Sequence, residues 1–441
     1  MQNHYEIIVV GAGASGLMAA LTAAQEQKKA HRPVSVALLE AAAKPGRKLL
    51  ATGNGRCNLT NMNLENARFH GDVQLAEAVL GKYSPQAVIR RFMSLGLLCR
   101  EEEQGRVYPN SGQAASVLSV LLSHLEELGV PILCGQKVER IQQESSHFFL
   151  KTAEGIGFAA QKVILAVSGK AAPQLGSDGS GLRLAGELGH SHTPCWEALV
   201  PVICQSSDLK AMQGMRCRGK VSLLGDGVVL GEETGEIQFT DYGLSGICVF
   251  QLSRMASEWV QQKTVLGKRT GSLVFSLDLL PDVSQEELQA MLQYRKRILP
   301  GSPATEAVSG ILNLRVGERL VRQVLKDTGK TMAELSSHEL EKIAYGVKNA
   351  CFPVKGVQDW SRAQVTAGGI PLREVFPDTL ESRCTRGLYL CGELLNVDGD
   401  CGGYNLHWAW ASGMAAGKAA AGSFPKKQGQ KARRKPHAAN R

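Results

Sequence analysis

Three glycines at positions 11, 13 and 16 close an apolar run, Ile7-Ile8-Val9-Val10, in the order Gly11-Ala12-Gly13-Ala14-Ser15-Gly16. This spacing suits the diphosphate of a dinucleotide. Gly11 permits a tight turn, Gly13 admits phosphates close to the main chain, and Gly16 lets a following helix sit against the strand. The first turn of that helix offers unpaired N–H groups and the positive end of its dipole to anionic oxygens. A second apolar run, Val34 to Leu39, stops on Glu40, whose carboxylate can accept hydrogen bonds from a ribose diol. Strand before, helix after, and an acid ending the next strand turn a weak glycine signal into a dinucleotide-binding β-turn-α-β unit. The polar stretch 28–33 accounts for the extra distance to Glu40.

The next segment also reads as ligand-facing. Gly46-Arg47-Lys48 and Asn54-Gly55-Arg56-Cys57-Asn58 are rich in glycine and side-chain donors and poor in groups that pack. Such a loop is entropically expensive unless something fixes it. Arg47, Lys48 and Arg56 can neutralise a diphosphate, and Asn54 and Asn58 can bond ring or sugar oxygens. The apolar run Val163 to Val167 opens onto Ser168-Gly169, a natural ligand position at the carboxyl edge of a sheet. Val138 sits where the chain could line an adenine pocket. Near the end of the chain the pattern recurs. A strand, Gly387 to Cys391, meets Gly392-Glu393, then Val397-Asp398-Gly399-Asp400-Cys401-Gly402-Gly403-Tyr404-Asn405, then a helix-like stretch from His407 to Ala421. Main-chain N–H groups there build a second anion or ring-edge site.

No Ser-His-Asp or Cys-His constellation stands out, so no catalytic side chain is assigned, and His407 reads as a packing or capping residue. The eleven cysteines include no C-x-x-C pair, so neither a zinc site nor a dithiol redox pair is expected.

The 441 residues, 44% hydrophobic and 21% charged, suffice for two or three domains with cores of their own. No apolar run reaches membrane-spanning length. A nucleotide strand beginning at residue 6 leaves no room for a cleaved leader, so a cytoplasmic location is the expectation. The formal charge of +9 is concentrated at one end: residues 424–441 hold seven basic residues and no acidic ones, leaving +2 for the rest. That tail is expected to be a disordered, solvated segment, and a nucleic-acid partner is not expected.

The elements that must position these groups are legible in outline. Pro85 to Leu98 reads as a helix. Ser111 looks like the N-cap of another that carries Val117, Leu118, Leu121, Leu122, Leu125 and Leu128. Ile132 to Ile141 reads as one strand, followed by Phe148 to Thr152, and Leu182 to Leu188 as a short helix. After residue 193 the composition shifts to short strand-like runs, suggesting a β part over 194–283. Within it, Asp241 and Tyr242 could face a substrate or simply form a turn. Residues 284–355 look helical, with starts at Ser284 and at Ser336 or Ser337. An α/β nucleotide fold would then be built from 1–193 and 356–423, with 194–355 inserted between its halves.

With both ends in view, the sequence resembles a bacterial flavoprotein family known as BaiN-like, or aminoacetone oxidase family, FAD-binding proteins. The resemblance rests on Gly11–Gly16 with Glu40, on the run from Gly46 to Asn58, on Phe239–Gly246 and on Gly387–Leu406, and it spans residues 5–422. It implies a Rossmann-like FAD domain of the two-dinucleotide-binding type, with an inserted β-barrel-like part and a helical part. It also implies an adenosine near Glu40 and Val138, a pyrophosphate over Gly11–Gly16, and an isoalloxazine near Gly368-Gly369 and Gly402–Asn405. Asn396 stands where the family often has Asp, and His407 where it often has Gln. The expected activity is FAD-dependent reduction of a small, largely apolar unsaturated molecule with NAD(P)H as transient donor. No second G-x-G-x-x-G is present for that donor, which weakens the reductase reading, although a nicotinamide can bind transiently over the flavin without one. Two alternatives stand beside it: an oxidase of a small amine or alcohol, and an RNA-associated flavoprotein. The oligomeric state is left open.

Overall fold

The computed structural model describes residues 3–264 and 271–422; the basic stretch 424–441 lies outside the described residues. The central sheet runs Ile132–Cys134, Val36–Glu40, His4–Val10, Gly157–Leu165, His147–Thr152, Val138–Glu144. Its middle strands pair in parallel, with Val10 beside both Leu39 and Leu165. Gly157–Leu165 divides its neighbours. Its first half pairs antiparallel with His147–Thr152, and its second half pairs parallel with Leu388–Leu390. A strand from the far end of the chain thus completes the sheet, and Gly11, Glu40, Ser168 and Gly392 all come to its carboxyl edge. The near-continuous burial of Ile7, Ile8, Val9 and Val163, Ile164, Leu165 fits parallel strands covered on both faces.

The two covering helices explain the small residues. Ala14–Lys29 and the closing helix Tyr404–Gly422 pack backbone to backbone. A Cβ on Gly413 would lie 2.5 Å from the Ser15 carbonyl oxygen, and one on Gly417 2.3 Å from that of Ala19. Only glycine allows this approach.

The insert is a closed six-stranded barrel, in the order Val202–Cys204, Gly243–Ser245, Val228–Phe239, Arg216–Gly225, Leu273–Asp278, Ala350–Val357. Its core includes Val221, Leu223, Phe239, Phe275 and Phe352. The closing strand, Ala350–Val357, comes after the helices Gln285–Ile298, Leu314–Val324 and Ser337–Lys348. A division at 283/284 therefore cuts through the barrel, because strand partners need not be neighbours in sequence. Ser284 with Glu287 and Ser336 with Glu339 form capping boxes. Trp196–Ala198, antiparallel to Val365–Ala367, ties the entry and exit of the insert together.

Two local expectations change. The helix expected to begin at Ser111 begins at Ala114, and Ser111 Oγ instead meets Ser116 Oγ at 2.9 Å. The single strand expected over 132–141 is two, split at Gly135, whose φ of +71° turns the chain out of the sheet. There Gly135 and Gln136 donate their N–H groups to the carbonyls of Ala42 and Glu40.

Candidate cofactor site

The Gly11–Gly16 loop has the geometry its spacing predicts. Gly11 adopts φ +100°, and a Cβ there would lie 2.8 Å from the Ala166 carbonyl oxygen. A Cβ on Gly16 would fall 1.9 Å from the Gly11 carbonyl oxygen. Gly13 differs: an added Cβ would meet nothing within 4 Å. The helix that starts at Ala14 has no side-chain cap. Its first-turn N–H groups, on Ala14, Ser15 and Gly16, have no acceptor within the helix itself. Open space beside such donors fits a diphosphate.

Glu40 ends its strand beside this loop. Its Oε2 accepts the Ala12 N–H at 2.7 Å and its Oε1 the Ala42 N–H at 2.8 Å. Each carboxylate oxygen keeps a second lone pair, so a ribose diol can still be held. The turn at 135–136 docks on Glu40 and Ala42 and brings Val138, 4% exposed, to the same side.

The cations expected to neutralise phosphate are engaged elsewhere. Lys48 Nζ donates to Glu393 Oε2 at 2.6 Å and to the Ala171 carbonyl at 3.1 Å. Arg56 donates to Glu102 at 2.6 Å and lies over the Tyr108 ring. Arg47 donates to the Gln174 carbonyl. The physical reason is proximity: the fold brings carboxylates and carbonyls within hydrogen-bonding reach of these side chains. Glu393 gathers three segments, since it also accepts the Ser168 hydroxyl at 3.1 Å and the Thr366 N–H at 3.0 Å. Thr366 in turn accepts the N–H groups of Lys170 and Ala171. Gly392 N–H donates to Ser412, and a Cβ on Gly392 would lie 2.4 Å from Ser15 Oγ.

In the 53–58 loop, Asn54 is exposed with φ +54°, while Cys57 is fully buried and its thiol is pushed up to about 12 by burial. The Cys57 side chain is therefore a packing group. Asn58 is buried, and its Oδ1 has no hydrogen-bond partner. Asp398 is similar. It is 2% exposed, Oδ2 accepts from Arg254 Nε at 2.9 Å, Oδ1 is unpartnered, and burial raises its pKa. Two buried acceptors without donors, one on each nucleotide segment, fit the hydroxyls and ring N–H of a flavin nucleotide.

Gly402 and Gly403 have φ of +119° and +105°, and a Cβ on Gly403 would lie 2.5 Å from the Thr60 carbonyl oxygen and 2.9 Å from Asn58 Oδ1. The Gly402-Gly403 turn is thereby locked onto the 58–60 stretch. Asn405 is not free for a ring: it clamps its own turn, accepting from Gly399 N–H and donating to the Gly399 carbonyl at 2.6 Å. His407 is fully buried, with Nδ1 2.8 Å from Thr60 Oγ1, and burial lowers its pKa to about 4. It is a neutral packing residue. Tyr242 and Asp241 form a turn between barrel strands, where the Tyr242 carbonyl accepts from Cys204 N–H.

Beside Gly402 the fold assembles a charged network that sequence reasoning missed. Asp400 accepts from Arg68 Nη1 at 3.2 Å and pairs with His70 Nε2 at 2.9 Å. Arg254, from the insert helix Ile247–Thr264, reaches Asp398. Glu233, on a barrel strand, is half-buried and interacts electrostatically with Arg68 and Asp400; burial raises its pKa. Only Asp398 and Asp400 lay in a recognisable motif. Of the other four, Arg68 and His70 stand two residues apart, while Glu233 and Arg254 come from the insert, and no spacing links these stretches.

Comparison with known proteins agrees with this architecture. The family model described as HI0933-like protein Rossmann domain matches residues 5–419. A 3-dehydro-bile acid delta(4,6)-reductase of Clostridium scindens is 39% identical over 414 residues, which is 94% of this chain and 98% of that protein. Ribosomal RNA dihydrouridine synthases of Escherichia coli and Haemophilus influenzae are each 27% identical, covering 94% of this chain and 97% and 98% of theirs. With the glycine turns, Glu40 and the orphaned acceptors in place, the chain belongs to the HI0933-like family of FAD-binding Rossmann-domain oxidoreductases.

Proposed function

We propose that this protein is an NAD(P)H-linked reductase of a conjugated carbon–carbon double bond in a small, largely apolar ring compound. The observation that carries this reading is the 39% identity, along nearly the whole of both chains, to a protein named as a bile-acid reductase. When bound, FAD supplies hydride transfer at its ring.

The chain's own residues have three tasks. The main-chain N–H groups of Ala14–Gly16 would hold the diphosphate, and Glu40 would orient the ribose. The start of Tyr404–Gly422, after Gly402-Gly403, would offer the positive end of a helix to the ring and stabilise negative charge there. Substrate lies between the barrel and the Asp400–Arg68–His70 network. There Glu233, protonated more readily than an ordinary carboxylic acid, delivers the proton that completes saturation.

Anaerobic mixing of the holoprotein with NADH or NADPH, followed by a 3-oxo steroid bearing conjugated double bonds, tests the proposal. The expected result is loss of flavin absorbance, its return on adding the steroid, and a product heavier by two hydrogens. Protein that ignores nicotinamide but makes peroxide from an amine or alcohol would be an oxidase. Gain of dihydrouridine in ribosomal RNA, with no steroid product, would move the substrate to the class named for the 27% identical relatives.

A further inference from the structure

His190, Glu374 and Cys384 converge from three separate segments. His190 follows the helix Ser180–Glu187, Glu374 ends the turn Leu372–Glu374, and Cys384 precedes the strand Leu388–Leu390. His190 Nδ1 is 3.0 Å from Glu374 Oε2 and 3.9 Å from Cys384 Sγ. All three donor atoms lie within 4.8 Å of one another. A tetrahedral ion held at about 2.0–2.3 Å from N, O and S ligands sets those ligands roughly 3.3–3.8 Å apart, so the triangle is nearly preformed.

We propose that these three side chains bind a zinc(II) ion, with water in the fourth position. A nitrogen, an oxygen and a sulfur donor in this arrangement suit zinc over calcium or magnesium, which take oxygen ligands. Binding releases the Cys384 thiol proton to solvent and changes no oxidation state. One thiolate and one carboxylate then balance the charge of the ion exactly where the imidazole side chain is fully buried and the carboxylate 18% exposed. The surroundings orient the ligands. Ser382 Oγ accepts the N–H groups of Cys384 and Thr385 at 3.0 and 2.8 Å and lies 2.7 Å from His190 Nε2, so it holds the ring beside the Cys384 segment. Ser191 donates its N–H to Glu374 Oε2 at 3.0 Å and its hydroxyl to Oε1. The site staples loop 189–193 to residues 369–385. Thr193 in that loop donates to the Gly369 carbonyl, so the staple also anchors the Gly368-Gly369 turn.

The test uses full-length, flavin-loaded protein made without a histidine tag, stripped with chelator and titrated with zinc chloride. Elemental analysis is expected to find one tightly held zinc per chain. Cys384→Ser and His190→Gln should lose it, and Ser382→Ala should weaken it by about 10–100-fold. Cys351→Ser, at an exposed thiol on the barrel, should retain it. Should the ligand variants fail to fold, alkylation of the wild type decides. Zinc should slow iodoacetamide modification of the exposed Cys384, mapped by mass spectrometry, and leave Cys351 unaffected. Equal zinc content in wild type and Cys384→Ser, or an unchanged alkylation rate at Cys384, would overturn the proposal.

Discussion

The ammonium of Lys48 donates to Glu393 Oε2 across 2.6 Å, joining the two nucleotide segments over 345 positions of sequence. Both side chains are about one-fifth exposed, at 23% and 19%, so the pair is neither a solvent ion pair nor a fully buried one. Lys48→Met strands a carboxylate that also organises Ser168 and Thr366. We expect a loss of about 1–2 kcal/mol, between the values for exposed and buried pairs. Thermal melts of Lys48→Met, Glu393→Gln and the double variant should be non-additive, with the double variant less damaged than the sum. Strict additivity would mean the contact does not couple the segments.

Gly13 and Gly413 should separate ligand binding from folding. A methyl at Gly13 meets nothing in the protein, and its φ of −83° suits any residue. Gly13→Ala should therefore melt like the wild type without flavin, yet bind FAD at least about tenfold more weakly, or 1.4 kcal/mol. Gly413→Ala pushes against the Ser15 carbonyl and should cost about 1–3 kcal/mol even without flavin. Calorimetric melts and flavin absorbance per chain distinguish the two. Normal FAD affinity in Gly13→Ala would displace the diphosphate from this loop.

His407 sets an acid limit on stability. Its pKa falls from 6.5 to about 4 because burial disfavours the imidazolium. The unfolded chain thus binds a proton that the folded chain refuses. Stability from this group is complete above pH 6.5 and is lost as pH falls from 6.5 towards 4, by roughly 3 kcal/mol in all. His407→Gln removes that proton and should flatten the denaturant midpoint over this window. An unchanged slope would place the titration elsewhere.

Glu233 tests the proposed chemistry. Glu233→Gln cannot deliver a proton, but it lies on the barrel, away from the diphosphate turn. Flavin content and anaerobic bleaching by NAD(P)H should be unchanged, while reoxidation by substrate slows about 100-fold or more. The wild-type rate should fall as pH rises through the elevated pKa of Glu233, and the variant should lack that limb. Stopped-flow traces that match the wild type would remove Glu233 from the reaction.

What the residues alone determined is the part carried by local physics. Gly11, Gly13 and Gly16 each have one steric reason for their place, and the run ending at Glu40 must follow as the next strand. The capping boxes at Ser284 and Ser336 are equally local. Tertiary structure decided whatever depends on distant partners. Lys48 and Arg56 looked like phosphate ligands because nothing in the sequence reveals that Glu393 and Glu102 reach them first. The barrel's last strand lies beyond three helices, and the meeting of His190, Glu374 and Cys384 leaves no trace in spacing. Short-range rules fix turns and caps. Which charge neutralises which, and which donors share a centre, follows only once the packed core has brought the segments together.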